Sequence, residues 1–245
     1  MRILIVRHAD PDYSIDGLTE KGKREAALLT ERLCRERVVR VYTSPLGRAR
    51  ATCAPYCERM GIEPVVKDWL TEYNMTVDLP DGRKSLTWNL PPSYWTQKPA
   101  LYTPAWSEET PYRESTAPRV YREMGAGLDA LMREEGYERT GGYFTRLAGC
   151  PEKDETIAFF CHQGAGQVVL SLLTGTPLPV FLHTFFLPTS SVSTAFMECW
   201  NRAERTYIPR VIGLGDLSHL YAGGEPVSFA GLIGTPWFNA IPHQQ

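Results

Sequence analysis

The chain has 245 residues, 43% of them hydrophobic and 22% charged, with a formal net charge of −2. This is the composition of a globular protein with ample material for a core. No lysine/arginine block stands out, which argues against nucleic acid or a membrane surface as partner, and no apolar run is long enough to span a bilayer.

Residues 2–6 are apolar after Arg2 and do not alternate, which predicts a strand buried on both faces that stops at Arg7-His8. The five apolar residues before Arg7 are too few for a signal peptide. The polar segment 7–18, with Asp10, Pro11, Asp12, Ser14, Asp16 and Gly17, reads as a loop. Thr19 is the expected N-cap of a helix. In it Gly22, Ala26, Leu29 and Leu33 recur at helical spacing and face the sheet, while Lys21, Lys23, Arg24, Glu25, Glu31 and Arg32 cover the rest. Val38 to Thr43 is a second strand. Ser44-Pro45 then reads as an N-cap followed by proline in the first helical position, and the helix runs to about Met60 with Gly61 as its stop. Two successive β-α units predict a parallel sheet with right-handed crossovers.

Residues 73–118 break the pattern. They are rich in proline and aromatics (Trp88, Pro91, Pro92, Tyr94, Trp95, Pro99, Tyr102, Pro104, Trp106, Tyr112) and lack periodicity. This length of irregular chain predicts an insertion, either a lid over a pocket or a contact between two copies in a homodimer. Val120, Met124, Leu128 and Leu131 mark a helix ending near Gly136. A buried strand at 156–161 stops at His162 and the turn Gln163-Gly164-Ala165-Gly166. A helix from Ala165 to Leu173 follows, stopped by Gly175 and Pro177. Ser191 to Trp200 and Tyr207 to Gly213 read as a hairpin with Pro209 near an edge. From Tyr221 the chain is glycine- and proline-rich and is expected to wrap the surface. The fold class is therefore α/β: a single three-layer αβα domain over residues 1–245. It has a mostly parallel central sheet, an antiparallel edge hairpin, the 73–118 insertion and a C-terminal surface extension over 221–245.

Two strands each end on a histidine, and ligands of open α/β sheets bind at that carboxyl edge. A neutral imidazole is a competent nucleophile toward phosphorus, and the guanidinium of Arg7 can hold phosphoryl oxygens in a fork. Arg48, in the first turn after Ser44-Pro45, can point toward the same crevice, where a helix N-terminus favours anions. Arg50, two residues on, faces elsewhere and reads as a surface residue. The turn after His162 lets backbone N–H groups approach a ligand closely. The six cysteines (Cys34, Cys53, Cys57, Cys150, Cys161, Cys199) show no paired spacing and read as reduced packing residues of a cytoplasmic protein. The five histidines are scattered, so no metal site is expected.

Together, Arg7-His8-Ala9, Leu18-Thr19-Glu20-Lys21-Gly22, the segment from Ser44 to Thr52, Leu70-Thr71-Glu72 and Cys161-His162-Gln163-Gly164 resemble the histidine phosphatase superfamily, which also contains the phosphoglycerate mutases. The resemblance implies His8 as the nucleophile that becomes phosphohistidine. It implies Arg7, Arg48 and His162 around the phosphoryl group, Gln163 as a further binding residue, and Glu72 as proton donor to the leaving oxygen. It implies a small phosphorylated substrate, phosphate as product and no cofactor. Without it, Glu72 reads as a surface loop residue. The chain departs from the mutases in its short stretch between His8 and Leu18 and in lacking a recognisable substrate clamp after Glu72. These departures favour a phosphomonoesterase over a mutase-type phosphotransferase. A binding module that keeps only the arginine pocket is the third reading.

Overall fold

The computed structural model describes residues 1–152, 154–228 and 231–232. Its main sheet contains β1 (Arg2–Arg7), β4 (Val38–Thr43), β5 (Val65–Val66), β8 (Tyr137–Thr140), β9 (Tyr143–Arg146), β10 (Thr156–Cys161), β11 (Val192–Asn201) and β12 (Thr206–Asp216). The pairs β2 (Pro11–Asp12)/β3 (Gly17–Leu18) and β6 (Thr76–Asp78)/β7 (Lys84–Leu86) form two separate ribbons. The helices are α1 (Glu20–Glu36), α2 (Gly47–Met60), α3 (Pro92–Trp95), α4 (Ala117–Glu134), α5 (Gln163–Thr174), α6 (Leu178–Thr184) and α7 (Ser218–Gly223). The main sheet runs β5-β4-β10-β1-β11-β12-β9-β8. Strands β5, β4, β10 and β1 are mutually parallel, and the hairpin β11–β12 joins β1 antiparallel.

The unalternating apolar strands follow from the layers. Successive side chains of a strand point to opposite faces, and here both faces are covered. Ile3 and Ile5 of β1 pack in one core with Ile157, Phe159 and Cys161 of β10 and with Leu128, Val168 and Val169 from α4 and α5. Leu4 and Val6 pack in the other, with Ala158, Phe160, Leu29 and Leu33 of α1, and Cys53 and Tyr56 of α2. Each fully buried Leu, Ile or Phe stabilises the fold by about 1.5–3 kcal/mol relative to exposure. Thr19 caps α1 as expected, its hydroxyl accepting from the Gly22 N–H. Arg50 is exposed. Gly61 and Gly175 end α2 and α5 in the left-handed conformation. Among the described residues, no helix is long and apolar enough to cross a membrane.

Several expectations need correction. Glu25 is not on the solvent side of α1. It is buried, accepts from the Asp10 N–H and pairs with Lys21. Ser44 does not cap α2, which begins at Gly47 after Leu46. The Ser44 hydroxyl instead accepts from the Leu46 N–H, closing a turn between strand and helix. Part of the 7–18 loop forms the β2–β3 ribbon. The β8–β9 hairpin extends the sheet beyond β12 and turns at Gly141-Gly142, between two short runs, with Gly141 at positive φ. Because β9 pairs β12 only at Thr206 and Tyr207, Pro209 removes no ladder donor on that side.

The aromatic segment is ordered by ring packing in place of periodicity. Tyr73, Val77, Leu90, Leu101, Trp106 and Tyr112 join the core on the α4–α5 face. Trp106 stands edge-on to both Tyr112 and Tyr121, a geometry the ring quadrupoles favour. Past Tyr221, Glu225 pairs with Lys21 and Arg24 of α1. Positions 229–230 and 233–245 of the expected extension lie outside the described residues.

The cap gives a stability test. Thr19→Ala should lower the unfolding free energy by about 0.5–2 kcal/mol, while Thr19→Ser keeps most of it; urea denaturation measures both.

Candidate active site

Parallel register assembles the site. β1 and β10 pair with Arg7 opposite Cys161, and β10 and β4 with Phe160 opposite Thr43. The next residue of each strand is therefore His8, His162 and Ser44. The His8 N–H donates to the Cys161 carbonyl and the Ser44 N–H to the Phe160 carbonyl, both at 2.9 Å. The two imidazoles lie with ring centroids 5.1 Å apart, tilted by 59°. Three neighbouring strand ends thus deliver three side chains to one crevice at the sheet's carboxyl edge.

His8 is only 2% exposed. Its Nδ1 lies 2.8 Å from the Ala9 carbonyl. A carbonyl can only accept, so Nδ1 carries the proton and Nε2 keeps the lone pair. Burial, followed by the positive charge of Arg7, holds the His8 pKa down at about 3, so the ring is neutral near pH 7. His162 is fully buried and its Nε2 lies 2.7 Å from the Ser44 hydroxyl. Burial, then His8 and the two arginines, pulls its pKa to about 2. Its Nδ1 is buried without a hydrogen-bond partner.

Arg7 is buried beside this pair. Its Nη1 donates to the Leu187 carbonyl at 2.6 Å and to Gln163 Oε1 at 3.3 Å, and its guanidinium lies 5.3 Å from the Phe186 ring centre. Gln163 Oε1 also accepts from the Leu187 N–H, so it is turned toward Arg7 and the 187 loop. Arg48 donates to Asp16 Oδ1 at 2.6 Å, and the other oxygen of Asp16 accepts from the Gly47 N–H at 2.6 Å. The α2 N-terminus, expected to face a ligand, therefore holds a carboxylate of the protein itself.

The same holds at α5. Glu72 Oε1 accepts from the N–H groups of Gly164 at 2.8 Å, Ala165 at 3.1 Å and Tyr73 at 2.9 Å. The N–H groups of the turn after His162, expected to approach a ligand, are thus occupied by Glu72. A side chain at Gly164 would meet the Tyr73 carbonyl at 2.7 Å, and Glu72 Oε1 and the Trp88 ring at 2.9 Å, so glycine is required by crowding. Burial raises the Glu72 pKa above its ordinary value, against the pull of the backbone donors and Arg7.

The structure brings Arg7, His8, Arg48, Glu72, His162 and Gln163 to this one edge. Sequence reasoning missed Ser44 as a partner of His162 and assigned it to a helix cap. It also missed Asp16, Glu25 and the aromatic residues Tyr13, Trp88 and Phe186 that stand around the arginines and Glu72. Only the strand-end position of Ser44, next to a proline, could have pointed to it.

Comparison with known proteins agrees with the architecture. A phosphoserine phosphatase of Hydrogenobacter thermophilus is 31% identical over 81 residues, which are 29% of this chain. That match spans 38% of the relative's length. Among solved structures, a mycobacterial glucosyl-3-phosphoglycerate phosphatase in complex with VO3 superposes with a TM-score of 0.55 at 18% identity, covering 87% of this chain and 98% of the other. A phosphoserine phosphatase of Entamoeba histolytica in complex with 3-phosphoglyceric acid superposes with a TM-score of 0.56 at 14% identity, covering 89% and 98%. At these identities the structural likeness speaks for the fold. The family model of the histidine phosphatase superfamily, branch 1, matches residues 3–206, and the chain belongs to that superfamily.

Proposed function

We propose that this protein is a phosphomonoesterase that hydrolyses a small phosphorylated molecule through a phosphohistidine at His8. The observation that carries the reading is the neutral His8 ring, with its proton fixed on Nδ1 by the Ala9 carbonyl, beside His162 and two guanidinium groups. Family membership and the phosphatase relatives support it.

In this reading, His8 Nε2 attacks phosphorus in line with the ester oxygen. A P–N bond forms as the P–O bond breaks, and Glu72 gives its proton to the departing alkoxide. Water then attacks the phosphohistidine while Glu72 takes a proton from it; a P–O bond forms as the P–N bond breaks, the electron pair returns to His8 Nε2, and inorganic phosphate leaves. Holding nucleophile and phosphorus in line removes at best about 7–11 kcal/mol of barrier. Arg7, Arg48 and the unpartnered His162 Nδ1 stabilise charge on the non-bridging oxygens. Each such donor accounts for about 10²–10³ in rate, by analogy with oxyanion donors. Gln163 and the Leu187 carbonyl aim Arg7, and Ser44 fixes the His162 ring. The six cysteines stand free, which suits the cytoplasm as the proposed setting.

Glu72 suits both of its roles. Hydrogen bonds fall on Oε1, and Oε2 is left for the transferable proton. Burial already favours the protonated form, and a phosphate dianion nearby favours it further.

p-Nitrophenyl phosphate should be turned over in the presence of EDTA, and His8→Ala should reduce kcat by about 10⁴-fold or more. The wild-type protein, quenched in base, should carry acid-labile phosphate that the variant lacks; an unchanged rate in His8→Ala would remove the mechanism. For an alkyl phosphate, kcat/KM should fall as pH rises through the elevated pKa of Glu72, because the acid form is lost. On the acid side, the free enzyme should lose its nucleophile only as pH falls toward about 3, where His8 protonates. Glu72→Gln should abolish the alkaline limb and slow alkyl phosphates by about 10²–10⁴-fold. p-Nitrophenyl phosphate, whose leaving group needs little protonation, should suffer less. Persistence of the alkaline limb in Glu72→Gln would assign the acid to another residue.

A further inference from the structure

Arg48 does not reach the crevice as a free cation. Asp16 Oδ1 accepts from its Nη1 at 2.6 Å, and Asp16 Oδ2 accepts from the Gly47 N–H at 2.6 Å. One carboxylate therefore holds both the guanidinium and the first N–H of α2. The contact is built into the chain at both ends. A side chain at position 47 would meet the Asp16 carbonyl at 2.2 Å and Oδ2 at 3.2 Å, so the loop closes on α2 only because residue 47 is glycine. Asp16 has φ at 46°, a left-handed conformation that aspartate tolerates better than most residues. Its side chain is 42% exposed and that of Arg48 11%. The carboxylate is open to water, while the guanidinium it holds is nearly buried.

Asp16 is charged. Against the effect of burial, the Gly47 N–H and Arg48 hold its pKa below the ordinary value. The charge also reaches the nucleophile: after burial, Arg7, the Ala9 carbonyl and Arg48, it acts on the His8 ring in the sense that favours an imidazolium. Both histidines of the crevice are neutral, so its positive charge comes from Arg7 and Arg48, and Asp16 offsets one of the two. Arg48 Nε is buried without a hydrogen-bond partner among the described residues. With Nη1 committed to Asp16, Nε is left for a phosphoryl oxygen. An anion that takes it comes to rest on a guanidinium whose other end already carries a negative charge, and the repulsion between the two anions subtracts from its binding.

We propose that Asp16 is a built-in counter-charge that limits how tightly the crevice holds inorganic phosphate, so that the product of hydrolysis leaves. This rests on the phosphatase reading and adds a positioning residue to it, one that touches no reacting atom and acts through Arg48. Substrate and product present the same head to the same donors. A crevice with two uncompensated guanidinium groups would hold both firmly, and affinity shared by ground states does nothing for the chemical step. A carboxylate on the far side of Arg48 keeps the guanidinium in place and lowers that shared affinity.

Inorganic phosphate, as a competitive inhibitor of p-nitrophenyl phosphate hydrolysis, measures this, and calorimetric titration with phosphate gives the same constant directly. Asp16→Asn keeps an oxygen for the Gly47 N–H and removes the charge. Its phosphate Ki should fall about 3- to 10-fold below that of the wild type. The gain is electrostatic at a partly exposed group, so the ratio of the two Ki values should shrink toward one as ionic strength rises from about 0.02 M to about 0.5 M. A purely structural effect of the substitution would not follow salt in this way. Asp16→Ser removes the same charge and should shift Ki in the same direction, so the test survives if the amide variant fails to fold. An active Asp16→Asn enzyme whose phosphate Ki is unchanged or higher overturns the proposal alone, because the carboxylate would then only aim Arg48. So does a Ki ratio that ignores salt. A protein that neither hydrolyses p-nitrophenyl phosphate nor binds inorganic phosphate overturns the phosphatase reading and this one together.

Discussion

The register between β1 and β10 is the constraint on which the site depends. Arg7 lies opposite Cys161, so the next residue of each strand is a histidine, and the two rings meet at 5.1 Å. A one-residue slip would turn every side chain of β1 to the other face. Ile3 and Ile5 would then exchange layers with Leu4 and Val6, and His8 would leave the crevice. The apolar layers above and below the sheet therefore do more than stabilise it. They specify, through side-chain shape on two faces, which residues end each strand together.

A second constraint is electrostatic. The N-termini of α2 and α5 both point into the site region, and each is filled by a carboxylate of the chain: Asp16 at Gly47, and Glu72 at Gly164 and Ala165. Helix ends with unsatisfied N–H groups attract anions, and internal carboxylates leave less of that attraction for an arbitrary ligand. In the proposed reaction, binding would rest on Arg7, Arg48 and His162, which are held by Gln163 and the Leu187 carbonyl, by Asp16 and by Ser44. Such a set of fixed groups suits a ligand that meets several donors at once, as the phosphoryl group of the proposed substrate would.

The parts of this arrangement that could be read in the sequence are those with a local signature. Strand ends at His8 and His162, the Thr19 cap, the Gly61 and Gly175 stops and the exposure of Arg50 each follow from neighbours within a few positions. Asp16, Glu25 and Ser44 were misplaced or overlooked because their partners are distant: Gly47 and Arg48, the Asp10 N–H, and His162. A carboxylate that accepts from a backbone N–H of another segment has no periodicity to betray it. The aromatic insertion was illegible for a related reason. Its order comes from ring-on-ring contacts such as Trp106 with Tyr112 and Tyr121, which carry no fixed spacing.

One physical cause prepares both halves of the proposed reaction. Removing a group from water disfavours its charged form. For a histidine that means losing a proton, and for a glutamic acid it means keeping one. In the same water-poor crevice, His8 is therefore held neutral, with its pKa near 3, while Glu72 is pushed toward its acid form. A nucleophile with a free lone pair and a carboxyl with a proton to give are the states that phosphoryl transfer to His8 requires. The guanidinium of Arg7 sharpens the first effect by repelling an imidazolium, yet it opposes the second by favouring the carboxylate. Burial outweighs it at Glu72, and an arriving phosphate dianion would turn the local field further toward the protonated acid. Substrate binding thus completes an acid that the apolar packing around the sheet edge has already biased.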